Sequence, residues 1–211
     1  TFANVELQAT KTTMVAITGA KCDFYINGIA KDTWQSYKIT TDDIIKIGTI
    51  KEGQRVYLAV KDGFSIDKEF GSNATTIKES LGGISGQKIQ NNDILPYDSY
   101  ENNFKSKWQK PHIPHYSNRL KLRVLLSYQD NCFSKSEKEK FFNSTYTITP
   151  DCNRMAYKLQ GESIQSSLDG IISEGISFGS IQIPKDGQPI ILLKERQTIG
   201  GYPKIGTVLS I

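Results

Sequence analysis

Short apolar runs, broken repeatedly by glycine, asparagine, aspartate or proline, leave this chain little room for long helices and point to strands. The first half reads as a series of them. Residues 13–18 form a β-rich run ending at Gly19, and residues 22–26 follow, closed by Asn27-Gly28. Asn-Gly between apolar runs is a strong hairpin signal, because both residues tolerate positive φ. Residues 44–47 end at Gly48, and residues 55–60 (Arg-Val-Tyr-Leu-Ala-Val) lie between Gly53 and Asp62-Gly63. From 71 to 86 the chain is small and polar, as suits a loop whose backbone comes close to something. Its end, Leu81-Gly-Gly-Ile-Ser-Gly-Gln-Lys88, imitates a phosphate loop, but neither GxxxxGK[ST] nor GxGxxG occurs, and a tight turn is the simpler reading.

Residues 98–118 carry Asp, Asn, Lys, Ser and Pro-His pairs with almost no aliphatic side chains, and read as a linker. It divides an N-terminal β domain, 1–97, from a C-terminal domain, 119–211. Residues 120–126 form the next strand, with Leu120, Leu122, Val124 and Leu126 alternating. Ser134 and Glu137 have capping-box spacing, which predicts a short helix over 135–143 carrying Phe141 and Phe142 inward. Strands follow at 146–149 and 155–159, then Gly179-Ser-Ile-Gln-Ile-Pro184, a turn at Lys185-Asp-Gly187, and Pro189-Ile-Ile-Leu-Leu193. The predicted class is mainly β: two β-barrel-like domains with few short helices, not a βαβ sheet. Composition agrees, with 26 Ile and 16 Thr against 8 Ala.

Several function classes drop out. The 26 basic and 22 acidic residues leave a net charge of only +4, and arginine supplies 5 of the basic ones. The densest basic stretch, 105–110, reads as solvated linker, so no nucleic-acid partner is expected. No apolar run reaches membrane-spanning length and no signal peptide is evident, so no membrane partner is expected either. Cys22, Cys132 and Cys152 are odd in number and form no CxxC, which suits reduced cytoplasmic thiols. His112 and His115 flank Pro114 without a completing ligand, so no metal is expected. No Gly-x-Ser-x-Gly elbow occurs.

The chemistry gathers near the C-terminal end. Gln182, Asp186 and Gln188 surround a strand-turn-strand, and Glu195, Arg196, Gln197, Thr198, Gly200, Gly201, Tyr202 and Lys204 follow. Gly200-Gly201 would let a ligand approach the backbone, and Arg196 offers a bidentate grip on a carboxylate. Lys204 suits a developing oxyanion, and Tyr202 suits stacking on or donating to a bound ring or amide. The same residues also fit a structural hairpin followed by a glycine turn with solvated charges.

These residues also carry a recognisable pattern. Ile172-Ser-Glu-Gly175, the run from Gly179 to Ile190 and Arg196-Gln-Thr-Ile-Gly-Gly-Tyr-Pro203 resemble the allophanate hydrolase subunit 2 family, whose members are also called the 5-oxoprolinase C subunit or biotin-dependent carboxyltransferase family proteins. Asn153-Arg-Met-Ala-Tyr-Lys-Leu-Gln-Gly161 resembles a strand of that family, and adds Arg154 and Tyr157 to the binding residues the resemblance implies. Ile17-Thr-Gly-Ala20, Tyr57-Leu-Ala-Val60, Gly71-Ser72 and Leu81-Gly-Gly-Ile-Ser-Gly86 fall in the family's order. Departures are Ala156 for a usual Gly, Lys158 for Arg, Glu195 for Asp and Gln87 for Arg. Family members begin with an extra Gln-Asp-x-Gly-Arg segment and continue past a Ser-Ala-Asp-Leu sequence, whereas this chain stops at Leu209-Ser210-Ile211. A fragment lacking both ends, with the first domain truncated at its start, is the expectation.

The resemblance implies a cyclophilin-like second domain. It also implies two partners: the allophanate hydrolase subunit 1 type protein (the 5-oxoprolinase B component) and a LamB/YcsF-type A component. The activity implied is ATP-dependent opening of the 5-oxoproline lactam to glutamate. Arg196 would hold the carboxylate, with Lys204 and Tyr202 facing the amide. Gln182, Asp186, Gln188, Thr198, Gly200 and Gly201 would bind substrate. No cofactor is bound by this chain alone, ATP serves the complex, and the chain is inactive by itself. Two alternatives stay open: a carboxyltransferase component using biotin in a urea carboxylase or allophanate hydrolase system, and a non-catalytic regulatory binding module.

Overall fold

A computed structural model describes residues 4–209, so Ser210 and Ile211 at the end of the motif region lie outside the described residues. The chain divides between Arg119 and Leu120 into two units, each with its own apolar core.

The first unit holds β1 (Val5–Gln8), β2 (Thr13–Ile26), β3 (Ile29–Ala30), β4 (Ser36–Ile39) and β5 (Ile44–Val60), ordered β1-β5-β2-β3 with β4 also on β2. The Asn27-Gly28 turn forms as its sequence predicts, with φ of 52° and 74°, and pairs Ile26 with Ile29. Gly19, Gly48 and Gly53, by contrast, do not end strands. They lie inside two long ones, because the β2–β5 ladder shifts register repeatedly between Gly19 and Phe24. Those bulges reverse the side-chain parity. Val15 and Ile17 face the core on one side of the bend, and Phe24 and Ile26 face the same core on the other.

Residues 98–118, read from sequence as a linker, hydrogen-bond along β4 and its flanks: Ser36 N–H donates to Ser106 O at 2.8 Å and Trp108 N–H to Trp34 O at 2.9 Å. The glycine loop is a tight turn packed on itself. Gly82 has φ of 68°, its N–H donates to Glu69 Oε2 at 2.8 Å, and an added Cβ would lie 2.1 Å from Ala74 O.

The second unit holds β6 (Val124–Leu126), α1 (Lys135–Asn143), β7 (Thr147–Ile148), β8 (Ala156–Gln160), β9 (Glu174–Gly175), β10 (Ser180–Gln182), β11 (Ile190–Leu192), β12 (Ile199–Gly200) and β13 (Lys204–Val208). The main sheet runs β6-β13-β10-β11-β8-β7, and β9 with β12 forms a separate two-stranded ribbon. The mainly β class holds. Both larger sheets are open paths of strands among the described residues, so neither closes into a ring.

The expected strand at 120–126 is shorter than its alternation suggests. Only Val124–Leu126 pairs, and Leu120 and Leu122 are exposed because no facing layer covers them. The helix starts where the capping residues put it: Ser134 Oγ accepts from Glu137 N–H at 3.2 Å. Glu137 turns its carboxylate to Lys140 and to the Gln165 N–H instead of closing the reciprocal box. Phe141 is buried with Phe133, Ile164, Ile181, Ile183 and Ile205, whereas Phe142, one position on and off the inward face, is half exposed. Ser134→Ala leaves the Glu137 N–H without its cap, and should lower unfolding stability by about 1 kcal/mol in denaturant titration.

Candidate functional site

Lys204 is the most constrained charged residue of the second unit. It opens β13 immediately after buried Pro203, and only 6% of its side chain is exposed. A bulge sets its direction: Ile181 pairs with Gly206 and Gln182 with Lys204, leaving Ile205 without an opposite residue. Bulges beside sites re-aim side chains in this way. Lys204 Nζ forms an ion pair and hydrogen bond with Glu174 and lies 5.5 Å from the ring centroid of Tyr128.

Glu174 is the hub. Its Oε1 accepts from Lys204 Nζ and, at 2.7 Å, from Gln129 Nε2, while its Oε2 accepts from the Tyr128 hydroxyl. Gln129 also accepts from the Lys204 backbone N–H at 2.9 Å, so both ends of its amide are fixed. The Lys204 hydrogen bond, followed by that of Tyr128, holds the Glu174 carboxyl below its ordinary range, and the bond to Glu174 pushes the Tyr128 phenol up. Tyr128, Ile176, Ser180, Thr198 and Lys204 line an open cleft of about 550 Å³.

The other predicted residues divide into those near this cleft and those elsewhere. Thr198 lines it, and its carbonyl accepts from Ile176 N–H at 2.9 Å. Gly200 pairs with Glu174, and an added Cβ there would lie 2.4 Å from Ile176 Cδ1 and 2.7 Å from Gln182 Nε2. Gly201 accepts from Ile171 N–H at 2.8 Å. Gln182 is buried, and its Nε2 has no hydrogen-bond partner among the described residues.

Arg196 donates from Nε to Ile176 O at 3.0 Å and from Nη1 to Leu193 O at 3.3 Å, which tethers its loop to the cleft wall with two of its five N–H groups. Tyr202 is exposed and does not line the cleft, where Tyr128 stands instead. Arg154 pairs with Glu195 at 2.5 Å, and Tyr157 lies opposite Ile191 on β8. Asp186 and Gln188 serve the β10–β11 turn. Asp186 Oδ1 accepts from Gln188 N–H at 3.0 Å, and Gln188 binds Gly161 through both ends of its amide.

Sequence reading missed Tyr128, Gln129 and Glu174. The one signal was the position of Glu174 inside Ser173-Glu174-Gly175, which carries the resemblance without a spacing that marks chemistry. Because the folded-state carboxyl of Glu174 lies below its unfolded value, its contribution to stability is whole above the unfolded glutamate pKa of about 4.3 and is lost as pH falls through the folded value. The stability difference between the wild type and Glu174→Gln should therefore be largest near neutrality and shrink in acid below about pH 4. Urea titrations across that range measure it.

The chain belongs to the carboxyltransferase domain family, subdomain A and B, whose profile matches residues 1–211. It is similar to the 5-oxoprolinase C subunit of Escherichia coli (strain K12), 29% identical over 197 residues that cover 92% of this chain and 62% of that protein. The protein of the same name from Haemophilus influenzae is 29% identical over 210 residues, covering 99% of this chain and 67% of that protein. The chain thus spans about two thirds of the length of these relatives. The crystal structure of the K. lactis urea amidolyase shares the fold, with a TM-score of 0.89 at 20% identity, covering 99% of this chain and 14% of that one. Among the described residues no helix is long and apolar enough to cross a membrane.

Proposed function

We propose that this chain is the C-type component of a 5-oxoprolinase, opening the lactam of 5-oxoproline to glutamate at the expense of ATP. It would act with a B-type partner and a LamB/YcsF-type A component. The observation that carries the reading is the 29% identity to the 5-oxoprolinase C subunit over nearly the whole chain in two bacteria. The cleft supports it chemically. Lys204 brings a buried ammonium that can stabilise charge growing on a lactam oxygen, and Arg196, tethered to the Ile176 carbonyl beside the cleft, would hold the substrate carboxylate with its remaining N–H groups. The glycine loop offers ATP no cradle from its Gly82 N–H, which is committed to Glu69, so ATP belongs with the partner chains in this reading.

The test reconstitutes the full-length protein with its B- and A-type partners and follows glutamate release from 5-oxoproline and ATP. Stoichiometric glutamate and ADP that require all three chains are expected. A complex that instead carboxylates urea from a carboxybiotinyl carrier overturns the reading in favour of a biotin-dependent carboxyltransferase. Full biological effect without any turnover makes the chain a regulatory binding module.

A further inference from the structure

The Glu174–Lys204 pair is incompletely used. A carboxylate has about four acceptor sites. Lys204 and Gln129 fill two on Oε1 and Tyr128 fills one on Oε2, which leaves one site on Oε2. An ammonium has three donors. Glu174 takes one and the Tyr128 hydroxyl meets a second, which leaves one without a hydrogen-bond partner among the described residues, although the Lys204 side chain is only 6% exposed. Gln182, opposite Lys204 on β10, adds a second buried donor without a partner at Nε2. Buried donors left unspent are costly and call for an acceptor. Lys204, which lines the cleft, and Gln182, which pairs with it, therefore keep donors without a partner near one open acceptor of Glu174.

We infer that Glu174 is a specificity-determining residue that accepts the N–H of a substrate amide while Lys204 donates to its carbonyl oxygen. This rests on the lactam-hydrolase reading and deepens it by naming the edge that the site recognises. Glu174 and Lys204 are hydrogen-bonded to one another, so a ligand that meets both must offer a donor and an acceptor side by side. A trans secondary amide points its N–H and C=O in opposite directions. A small lactam ring, a primary amide or urea holds them on one edge. An N-alkylated lactam or a lactone turns a methyl group or an oxygen lone pair toward the carboxylate, and loses the hydrogen bond while leaving charged groups unmatched. Tyr128 and Gln129 act as positioning residues, holding the carboxylate so that its last acceptor faces the edge.

The test measures binding by calorimetry to the full-length protein assembled with its partner chains, without ATP. The probes are 5-oxoproline, its N-methyl derivative and the corresponding lactone acid, with 2-pyrrolidinone and urea as smaller cis amides. The wild type should bind 5-oxoproline at least about tenfold more tightly than either analogue. Glu174→Gln should cut that ratio to within about threefold, because a carboxamide can turn its NH2 toward the lactone oxygen. Tyr128→Phe removes one of the two neutral groups that hold the carboxylate while Gln129 and the ion pair remain, so it should reduce the preference by less than Glu174→Gln does. Equal binding of the three acids, an unchanged ratio in Glu174→Gln, or no binding of any cis amide overturns the inference. Glutamate release in the same preparation separates the two claims. Selective binding without release removes the reaction assignment and keeps the edge recognition. Release without selectivity removes the edge recognition alone.

Discussion

Lys204→Met is expected to lower glutamate release by the assembled complex by at least about a hundredfold, the scale on which a preorganised donor to a developing oxyanion acts. Methionine keeps the length and apolar stem of the lysine, so the cleft wall stays filled while the ammonium goes. Glu174 then loses the strongest of the groups that hold its carboxyl low, and Tyr128 loses the cation beside its ring. The folded protein should also lose about 1–3 kcal/mol, the cost of leaving a partly buried charge without its partner. Lys204→Arg keeps a charge, but its planar fork cannot occupy the place of a compact ammonium, so it should recover stability better than activity. Turnover of Lys204→Met within about threefold of the wild type would remove Lys204 from the chemistry.

Gly19→Ala should destabilise the first unit by about 2–4 kcal/mol, combining left-handed backbone strain with a clash against fixed backbone. Gly19 has φ of 87°, and an added Cβ would lie 2.3 Å from the backbone oxygen of Arg55 and 2.8 Å from Tyr57 Cδ2. A carbonyl in a ladder cannot step aside as a side-chain tip can. Gly28→Ala is the matched control: φ is 74°, but nothing lies within 4 Å of its added Cβ, so only the strain of about 1 kcal/mol applies. Denaturant midpoints of the two variants should differ clearly, and equal losses would show that the close approach at Gly19 costs nothing.

The contrast between these glycines explains what was legible in the sequence. Asn27-Gly28 was readable because a two-residue turn needs positive φ at both positions and its flanking runs pair directly. Gly19 needs the same backbone conformation inside a strand, and residue type alone does not separate a bulge from a turn. The parity change from Ile17 to Phe24 breaks the period of two, so one 14-residue strand reads as two short ones. Ser134 and the buried Phe141 were readable from local helix rules, whereas the exposure of Phe142, Leu120 and Leu122 depends on layers that no local pattern specifies.

At the site, Lys204 was legible as a cation beside a glycine pair, and Arg196 and Thr198 as its neighbours. Glu174, Tyr128 and Gln129 were not, since they reach Lys204 from 30, 76 and 75 positions away in sequence through sheet pairing. No spacing rule joins residues at such separations. The β6–β13 and β9–β12 pairings bring them together, and the bulge between β10 and β13 lies beside Lys204.

The β9–β12 ribbon has one further consequence, for local opening. It joins two residues to two, and a two-stranded ribbon of that size is marginal in water. Its hold on the unit comes from the Ile176 contacts, the Arg196 tether and the bonds that converge on Glu174. The least costly excursion of the unit from its native state therefore runs through the ribbon, with β10 and β13 still folded. Its amides, including Gly200, should exchange with deuterium before those of Ile181 and Ile205. A ligand that engages Glu174 and Lys204 together should slow that exchange, so the ion pair is both the clasp of the ribbon and the gauge of its occupancy.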